Sequence, residues 1–355
     1  MNTLEYCHEF DFSKINFIER KIRITHPRTI ISGPPRVGKT FLIYDYLAKF
    51  KVEDYLYIDF KDIRNSKKVI EKNLEEYIYR NKIKVLVLED FQFDIKIPFC
   101  ESIIISTQKE HYLKAYKNIF LNPLDFEEYL LHENKNQNIT QSFNTFLKHG
   151  NLPESVNKPE YIIYKDLQNI IKLYTNDLIS QQILKILLDN IDEKKSLNQL
   201  YLTLKEDYKV SKDKFYEKCK EFEEKRIIYF IKKYNQDRAT KKIYSYNSAF
   251  FNAINYKKKF KNELTNIVFQ ELLNKFKEIY FLDYIDFFIP KEKIAICPIA
   301  FFNSSLMSPT LKRILKVAKE NKVENLYIIT VSNNETFTID NIEINVLPFY
   351  EWALT

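Results

Sequence analysis

The chain has 355 residues, a formal net charge of +7 and 45% hydrophobic residues, enough for two or three packed domains at roughly 150 residues each. No stretch approaches 18 consecutive apolar residues and the first residues are neither basic nor apolar, so we expect neither a membrane span nor a secretory signal. Four widely spaced cysteines predict reduced thiols in a cytoplasmic protein, without a zinc site.

The first strong pattern in chain order is a phosphate loop. Residues 33–40 read G-x-x-x-x-G-K-T, between an apolar run at 28–32 that predicts a buried strand and a run at 41–47 with helical spacing. Average glycine usage of about 7% would give roughly 25 glycines in a chain of this length. The chain has 3, and two of them are Gly33 and Gly38, which supports a functional loop over a chance match.

The chemistry of such a loop predicts ATP and Mg²⁺ as ligands. Backbone N–H groups and the positive end of the following helix bind phosphate. Lys39 is expected to reach the outer phosphates and Thr40 to offer its hydroxyl to Mg²⁺. The candidate nucleotide-binding residues of this segment are Gly33, Pro34, Pro35, Arg36, Val37, Gly38, Lys39, Thr40 and Phe41.

Two acids end a predicted buried strand. Residues 55–60 and 83–90 predict the next two strands, and the second ends in Glu89 and Asp90. Parallel strands present such ends at the edge of the sheet where ligands bind. Glu89 is expected to help hold Mg²⁺ and Asp90 to orient a water, so Lys39, Glu89 and Asp90 are the candidate catalytic residues.

A further strand at 102–106 ends in polar residues. In P-loop ATPases a polar residue at this place contacts the γ-phosphate or the attacking water. Ser106, Thr107 and Gln108 all qualify by position, and Ser106 is the candidate we carry forward. With another strand at 118–121, the alternation of strands and helices predicts an α/β fold with a doubly wound parallel sheet.

Two later motifs, at 122–130 and 149–154, complete a family resemblance. Together with the phosphate loop and Glu89-Asp90-Phe91-Gln92, they resemble a family of archaeal and bacterial AAA-type P-loop ATPases with a C-terminal domain similar to restriction endonucleases. The resemblance covers essentially the whole chain. It implies a P-loop ATPase core with a helical lid at 1–178, a winged helix at 179–254 and a small α/β nuclease-like domain at 255–355.

The chain departs from this family at two places in the ATPase part. The usual D-E order is inverted to Glu89-Asp90, so the expected base has the shorter side chain. The family also shows an arginine after the sensor strand, where this chain offers Lys109, Lys114 and Lys117. The shorter base predicts slow turnover, and an ammonium binds phosphate less well than the forked guanidinium of an arginine.

Residues 180–260 carry 19 basic and 11 acidic residues, a surplus of +8. The surplus indicates either a module for a polyanion or a chain that uses lysine as its default surface residue. Three predicted helices and two strands fit the winged helix of the family. Its third helix, at 211–225, carries the candidate DNA-binding residues Lys212, Lys214 and Lys218. Interleaved acids on that helix favour a scaffold instead, and both interpretations stay open.

The nuclease-like part lacks the residues that cleavage needs. Phosphodiester hydrolysis requires clustered carboxylates for a metal and a cation for the developing charge. Asp286 and Glu263 match the family, whereas Ile296 and Pro298 stand at the positions of an acid and a lysine. We therefore expect a catalytically inactive fold kept for binding or assembly.

The sequence thus predicts an ATPase that uses ATP and Mg²⁺ and couples its nucleotide state to the binding of duplex DNA or of a protein partner. The sequence is also compatible with an oligomer. One alternative is an ATP-gated binding switch with negligible turnover. The other is a DNA nuclease regulated by ATP.

Overall fold

The computed structural model describes residues 2–15, 19–133, 138–175, 177–256, 259–303 and 308–355. The chain forms two compact units, Met1–Pro123 and Leu124–Thr355. The three-part division expected from the family stays a prediction. Within the described ranges, none of the helices is long and apolar enough to cross a membrane.

The first unit is built on a parallel sheet. Its strands are β1 (Arg28–Ser32), β2 (Tyr55–Asp59), β3 (Val85–Glu89), β4 (Ser102–Ser106) and β5 (Lys117–Phe120), in the spatial order β2-β3-β4-β1-β5. Its helices are α1 (Asn2–Cys7), α2 (Lys39–Leu47) and α3 (Lys67–Asn81), with a short 3₁₀ turn at Val52–Asp54.

Burial explains why these segments are strands. The residues of β3 and β4 are buried throughout, as expected for strands covered on both faces of a parallel sheet. The sequence-based strands agree with the structure to within two residues, and the predicted parallel sheet is confirmed. The connection from β4 to β5, which lies wholly in the described range, contains no helix.

The second unit begins with helices. They are α4 (Phe126–His132), α5 (Ile139–His149), α6 (Glu160–Tyr174), α7 (Leu178–Asp189), α8 (Leu197–Asp207), α9 (Lys212–Glu224), α10 (Ala249–Ile254) and α11 (Phe260–Lys275), with a 3₁₀ turn at Pro153–Ser155. Ser196 forms a capping box with Gln199, so the N-cap predicted for α8 is confirmed. The Ser211 hydroxyl caps α9 in the same way, by accepting from the Lys214 N–H.

The second unit also holds two sheets. The pair β6 (Ile228–Ile231) and β7 (Lys242–Ser245) is antiparallel. The other strands are β8 (Tyr280–Leu282), β9 (Ile285–Ile289), β10 (Ile294–Pro298), β11 (Asn325–Thr330), β12 (Glu335–Ile339) and β13 (Ile342–Pro348), in the order β12-β13-β11-β10-β9-β8. Helices α12 (Ser308–Glu320) and α13 (Phe349–Trp352) complete the unit.

The loop between β6 and β7 is joined to the edge of the larger sheet. The Phe281 N–H donates to the Lys232 carbonyl at 3.1 Å, and the Tyr234 N–H donates to the Phe281 carbonyl at 3.0 Å. The Lys233 ammonium pairs with Asp283 at 2.6 Å. This loop, which belongs to the wing of the expected winged helix, therefore covers the edge strand β8.

Candidate nucleotide-binding site

The phosphate loop starts where β1 ends, at a position that only glycine fits. Gly33 has φ of 146°, and a Cβ built there would lie 2.3 Å from the carbonyl oxygen of Leu121. Gly38, the N-cap of α2, is left-handed with φ of 95°. The first N–H groups of α2 have no acceptor inside the helix and point out of its N-terminus. The loop therefore has the backbone that phosphate binding needs.

Lys39 is held inside the loop by two carbonyls. Its ammonium donates to the carbonyl oxygens of Gly33 at 2.8 Å and Pro34 at 2.7 Å. The next residue in each case is a proline, so these two peptide groups offer an acceptor but no donor. Burial lowers the pKa of Lys39 to about 8, and the nearby Asp90 carboxylate opposes that shift.

Arg20 ties the loop to the end of β5. One guanidinium N–H donates to the Val37 carbonyl at 2.7 Å and another to the Asn122 carbonyl at 3.0 Å. In a trans peptide the carbonyl and the following N–H point in opposite directions. The contact with Val37 therefore turns the Gly38 N–H away from Arg20 and fixes that peptide group.

Glu89 is the buried acid of the site. Only 5% of it is exposed. One carboxylate oxygen accepts from the Thr40 hydroxyl and the other from the Tyr57 hydroxyl. Burial raises the pKa of Glu89, and the two hydroxyls oppose this shift. Burial likewise raises the pKa of Tyr57 far above its usual value, which keeps this hydroxyl a donor.

Asp90 and Ser106 meet at the same edge of the sheet. The Asp90 N–H donates to the Ser106 hydroxyl at 3.0 Å, and the Asp90 carboxylate pairs with Lys61 at 2.7 Å. Asp90 is left-handed with φ of 51°, a conformation that Asp tolerates better than most residues. Ser106 thus supports the turn that presents Asp90.

The structure brings Lys39, Thr40, Glu89, Asp90 and Ser106 together at the carboxyl end of the sheet. The side chain of Phe41 is 54% exposed beside them. Sequence reasoning missed Tyr57, Lys61 and Arg20, which reach the site from other segments. Only Tyr57 had a signal, since it lies within the strand predicted at 55–60.

The residues present fit a nucleotide with Mg²⁺. Among the described residues, no cluster of three or more His, Cys, Asp or Glu side chains could hold a metal by itself. Mg²⁺ in nucleotide sites is bound through one or two side chains together with phosphate oxygens and water. Thr40 and Glu89 supply such a partial donor set next to a loop built for phosphate.

The lysines predicted to bind DNA are partly paired. Helix α9 carries four lysines and five acids. Lys214 pairs with Asp177 at 3.5 Å and Lys218 with Glu221 at 2.6 Å. The Lys212 ammonium lies 5.9 Å from the centre of the Tyr216 ring. Much of the charge on this helix is therefore balanced locally.

An internal lysine contacts Asp286, the acid that the family resemblance implies for a nuclease-like site. The Lys242 ammonium on β7 pairs with Asp286 and with Asp192, both at 2.6 Å. These residues line a cavity of about 630 Å³ that Pro298 also lines. Ile296, at the position of the expected acid, is 1% exposed. Sequence reasoning missed Lys242 because it lies in the segment expected to be a winged helix.

Comparison with known proteins agrees with this geometry. Residues 25–98, from just before β1 to beyond β3, match the family described as an AAA domain. The match indicates an ATP-binding ATPase, which confirms the AAA-type P-loop prediction for this region. The chain is also 24% identical over 407 aligned positions to the uncharacterized protein MJ1544 of Methanocaldococcus jannaschii, covering 96% of this chain and 90% of that protein.

Proposed function

We propose that this protein binds ATP with Mg²⁺ at residues 33–41 and hydrolyses it. The observation that carries the proposal is the contact between the Thr40 hydroxyl and the Glu89 carboxylate. It joins the end of the phosphate loop to the acidic end of β3, where a Mg²⁺ held by nucleotide phosphates needs its protein ligands. The bound metal would neutralise charge that develops on the phosphates.

Each residue has a separate task in this proposal. The Lys39 ammonium exchanges its two neutral carbonyl acceptors for anionic phosphate oxygens, which are stronger partners. Thr40 and Glu89 hold the metal end of the nucleotide. Asp90, less buried than Glu89, orients the attacking water, while Ser106 holds the Asp90 main chain.

We also propose that nucleotide state reaches residues 124–355 through the chain that leaves the first unit. Gly33 lies against the main chain of Leu121, and the Leu121 N–H donates to the Ser32 carbonyl at 2.8 Å. Arg20 contacts both the loop and Asn122. A shift of the loop on phosphate binding would thus act on residues 121–123, where the chain enters the second unit.

The second unit, with its winged helix at 179–254 and inactive nuclease-like part at 255–355, would use that signal to bind a macromolecule. The +8 surplus of residues 180–260 favours duplex DNA. The ion pairs of α9 and the docked β6–β7 loop favour a protein partner.

The ATP-binding proposal is tested by Lys39→Ala. This change removes the cation nearest the outer phosphates, so nucleotide affinity or phosphate release should fall at least tenfold, the size of about 1.4 kcal/mol. Fluorescent-nucleotide titration and steady-state phosphate release measure the two quantities.

The matched control is Lys49→Ala, an exposed lysine just beyond α2 that pairs with Asp45 at 3.8 Å. It should bind and turn over ATP like the parent protein. Equal affinity and turnover in Lys39→Ala and the parent would overturn the proposal.

A further inference from the structure

Tyr57 lies beside the acidic end of β3. In the β2–β3 pair, Tyr57 faces Val87 and Asp59 faces Glu89, so the Tyr57 side chain starts two residues before the acid. The Tyr57 hydroxyl donates to one oxygen of the Glu89 carboxylate, and the Thr40 hydroxyl donates to the other. Each oxygen therefore has a donor from a different element.

Helix α2 holds Tyr57 from the same side. Thr40 and Tyr44 are four residues apart and so project from one face of α2. The Tyr44 hydroxyl lies 3.3 Å from that of Tyr57. Because Tyr57 donates to Glu89, its oxygen is left to accept from Tyr44. Thr40, Glu89, Tyr57 and Tyr44 thus form a chain of side-chain contacts that begins and ends on α2.

The Tyr57 ring has little freedom to move. Tyr57 is 5% exposed, and the Phe12 ring contacts it edge-on with centroids 5.2 Å apart. Phe12 also stacks on Tyr44 at 4.2 Å. The terminal torsion of a glutamate is otherwise broad, so a fixed donor on one oxygen decides the direction of the other.

We propose that Tyr57 is a positioning residue for Glu89, holding its carboxylate so that the second oxygen faces Thr40 and the metal end of the nucleotide. The inference rests on the proposed function and deepens it. Partners that orient the groups around a metal typically contribute about 10- to 100-fold to metal affinity or activity.

The test is Tyr57→Phe, which keeps the ring and removes only the hydroxyl. We expect nucleotide affinity in EDTA to stay within twofold of the parent, since the Tyr57 hydroxyl bonds to Glu89 and Tyr44, which lie outside residues 33–40. The Mg²⁺ concentration for half-maximal effect on nucleotide affinity should rise, and kcat should fall, by about 10- to 100-fold. A general packing defect would instead lower affinity in EDTA as well.

Tyr55→Phe is the matched control. Tyr55 lies on the same face of β2 and packs on the same Phe12 ring, but its hydroxyl donates to the main-chain carbonyl of Phe10. It should leave the Mg²⁺ dependence unchanged. Tyr44→Phe, which removes the outer hydroxyl, should shift the Mg²⁺ dependence in the same direction by a smaller factor, and serves if Tyr57→Phe does not fold.

The outcomes separate this inference from the proposed function. Suppose that the parent protein binds nucleotide better with Mg²⁺, but that Tyr57→Phe and Tyr44→Phe have the same Mg²⁺ dependence and kcat as the parent. This result would overturn the role of Tyr57 and leave the proposed function standing. The same shift in Tyr55→Phe would also overturn the role of Tyr57. A parent protein that binds no nucleotide would overturn both proposals.

Discussion

At the scale of single residues, the inverted order of the two acids divides their roles. Glu89 is almost fully buried between two hydroxyls, so its longer side chain serves to reach Thr40. Asp90 turns outward at the end of β3, and its carboxylate pairs with the exposed Lys61. Water reaches a partly exposed carboxylate more readily than a buried one, which assigns the water-orienting role to Asp90 in the proposed reaction.

Asp90→Asn tests that role. Asn tolerates the left-handed backbone that Asp90 adopts, so the fold should be kept. The amide cannot accept a proton, and loss of a general base typically costs about 10²- to 10⁴-fold in rate. We therefore expect parent-like ATP affinity with phosphate release lower by at least about 100-fold.

Asp94→Asn is the control for this change, because Asp94 also follows β3 and pairs with a lysine, Lys67. It should hydrolyse ATP like the parent. If Asp90→Asn turns over ATP within a factor of three of the parent, the general base must be another residue. No turnover in the parent would favour the ATP-gated switch.

The residues that sequence reasoning identified lie in one continuous segment or at strand ends. The spacing of the motif alone places Gly33, Lys39 and Thr40 in one loop. The continuous apolar run before Glu89 predicts a buried strand and places this acid at the carboxyl edge of the sheet. Tyr57 and Arg20 could not be found in this way. Their partners are 32 and 17 residues away in sequence, and only the register of β2 on β3 or the path of the chain before β1 brings them close.

At the scale of elements, strand β12 was not predicted. It pairs with β13 through a tight turn whose central residues, Asp340 and Asn341, both have positive φ. Such a turn joins antiparallel strands, and Asp and Asn favour it. Phe337 and Ile339 are partly buried and alternate with exposed residues, so β12 also has the period of two that is typical of a strand. Sequence reasoning therefore missed both a turn signal and an alternation signal at the edge of this sheet.

The strand β7 carries a lysine that only tertiary structure explains. Lys242 is 4% exposed between Asp192 and Asp286, and the Tyr244 hydroxyl donates to Asp192 at 2.9 Å. Burial alone would lower the pKa of Lys242, but the two carboxylates outweigh it and raise the pKa. The ammonium is therefore charged at neutral pH and joins β7 to the loop after α7 and to β9.

Lys242→Met tests this ion cluster. The change leaves two carboxylates without their shared cation, and breaking a buried pair typically costs about 3–5 kcal/mol. Trp352, the only tryptophan of the chain, lies in the second unit, so its fluorescence in urea follows the unfolding of that unit. We expect the free energy of unfolding to fall by about that amount at pH 7.

Lys232→Met is the matched control, since Lys232 is exposed and pairs at 3.2 Å with the exposed Asp237. Surface pairs contribute about 0–1 kcal/mol, so this variant should unfold almost like the parent. If the free energy of unfolding falls equally in the two variants, the Lys242 cluster contributes no more stability than an ordinary surface ion pair.

At the scale of the whole molecule, charge and covalent connection decide what the second unit can bind. Residues 180–260 carry a positive surplus of +8, yet four of the lysines pair with acids of the same unit. These lysines are Lys214, Lys218, Lys220 and Lys225. A surface whose lysines are already paired releases fewer counterions when it meets DNA, because each acid remains to repel phosphate. The proposed DNA interface should therefore be weak, and its affinity should depend only moderately on salt.

DNA binding by the second unit is expected to depend on salt and on the nucleotide site. If Lys212, Lys214 and Lys218 each neutralise one phosphate, the affinity for duplex DNA should fall with salt with a log–log slope of about −2.7. Changing these three lysines to Glu should lower the affinity for every DNA sequence and flatten that slope. The control changes Lys68, Lys72 and Lys96 of the first unit to Glu; these lysines are exposed, and the change in net charge is the same. This control should leave both the affinity and the slope unchanged. Fluorescence anisotropy measures the DNA affinity and its salt slope.

The same measurement with and without ATP and Mg²⁺ tests the coupling between the two units. If they are coupled, nucleotide should shift the DNA affinity of the parent but not that of Lys39→Ala. Identical affinities with and without nucleotide would contradict coupling through residues 121–123, and no binding at low salt in either state would leave a protein partner as the ligand of the second unit.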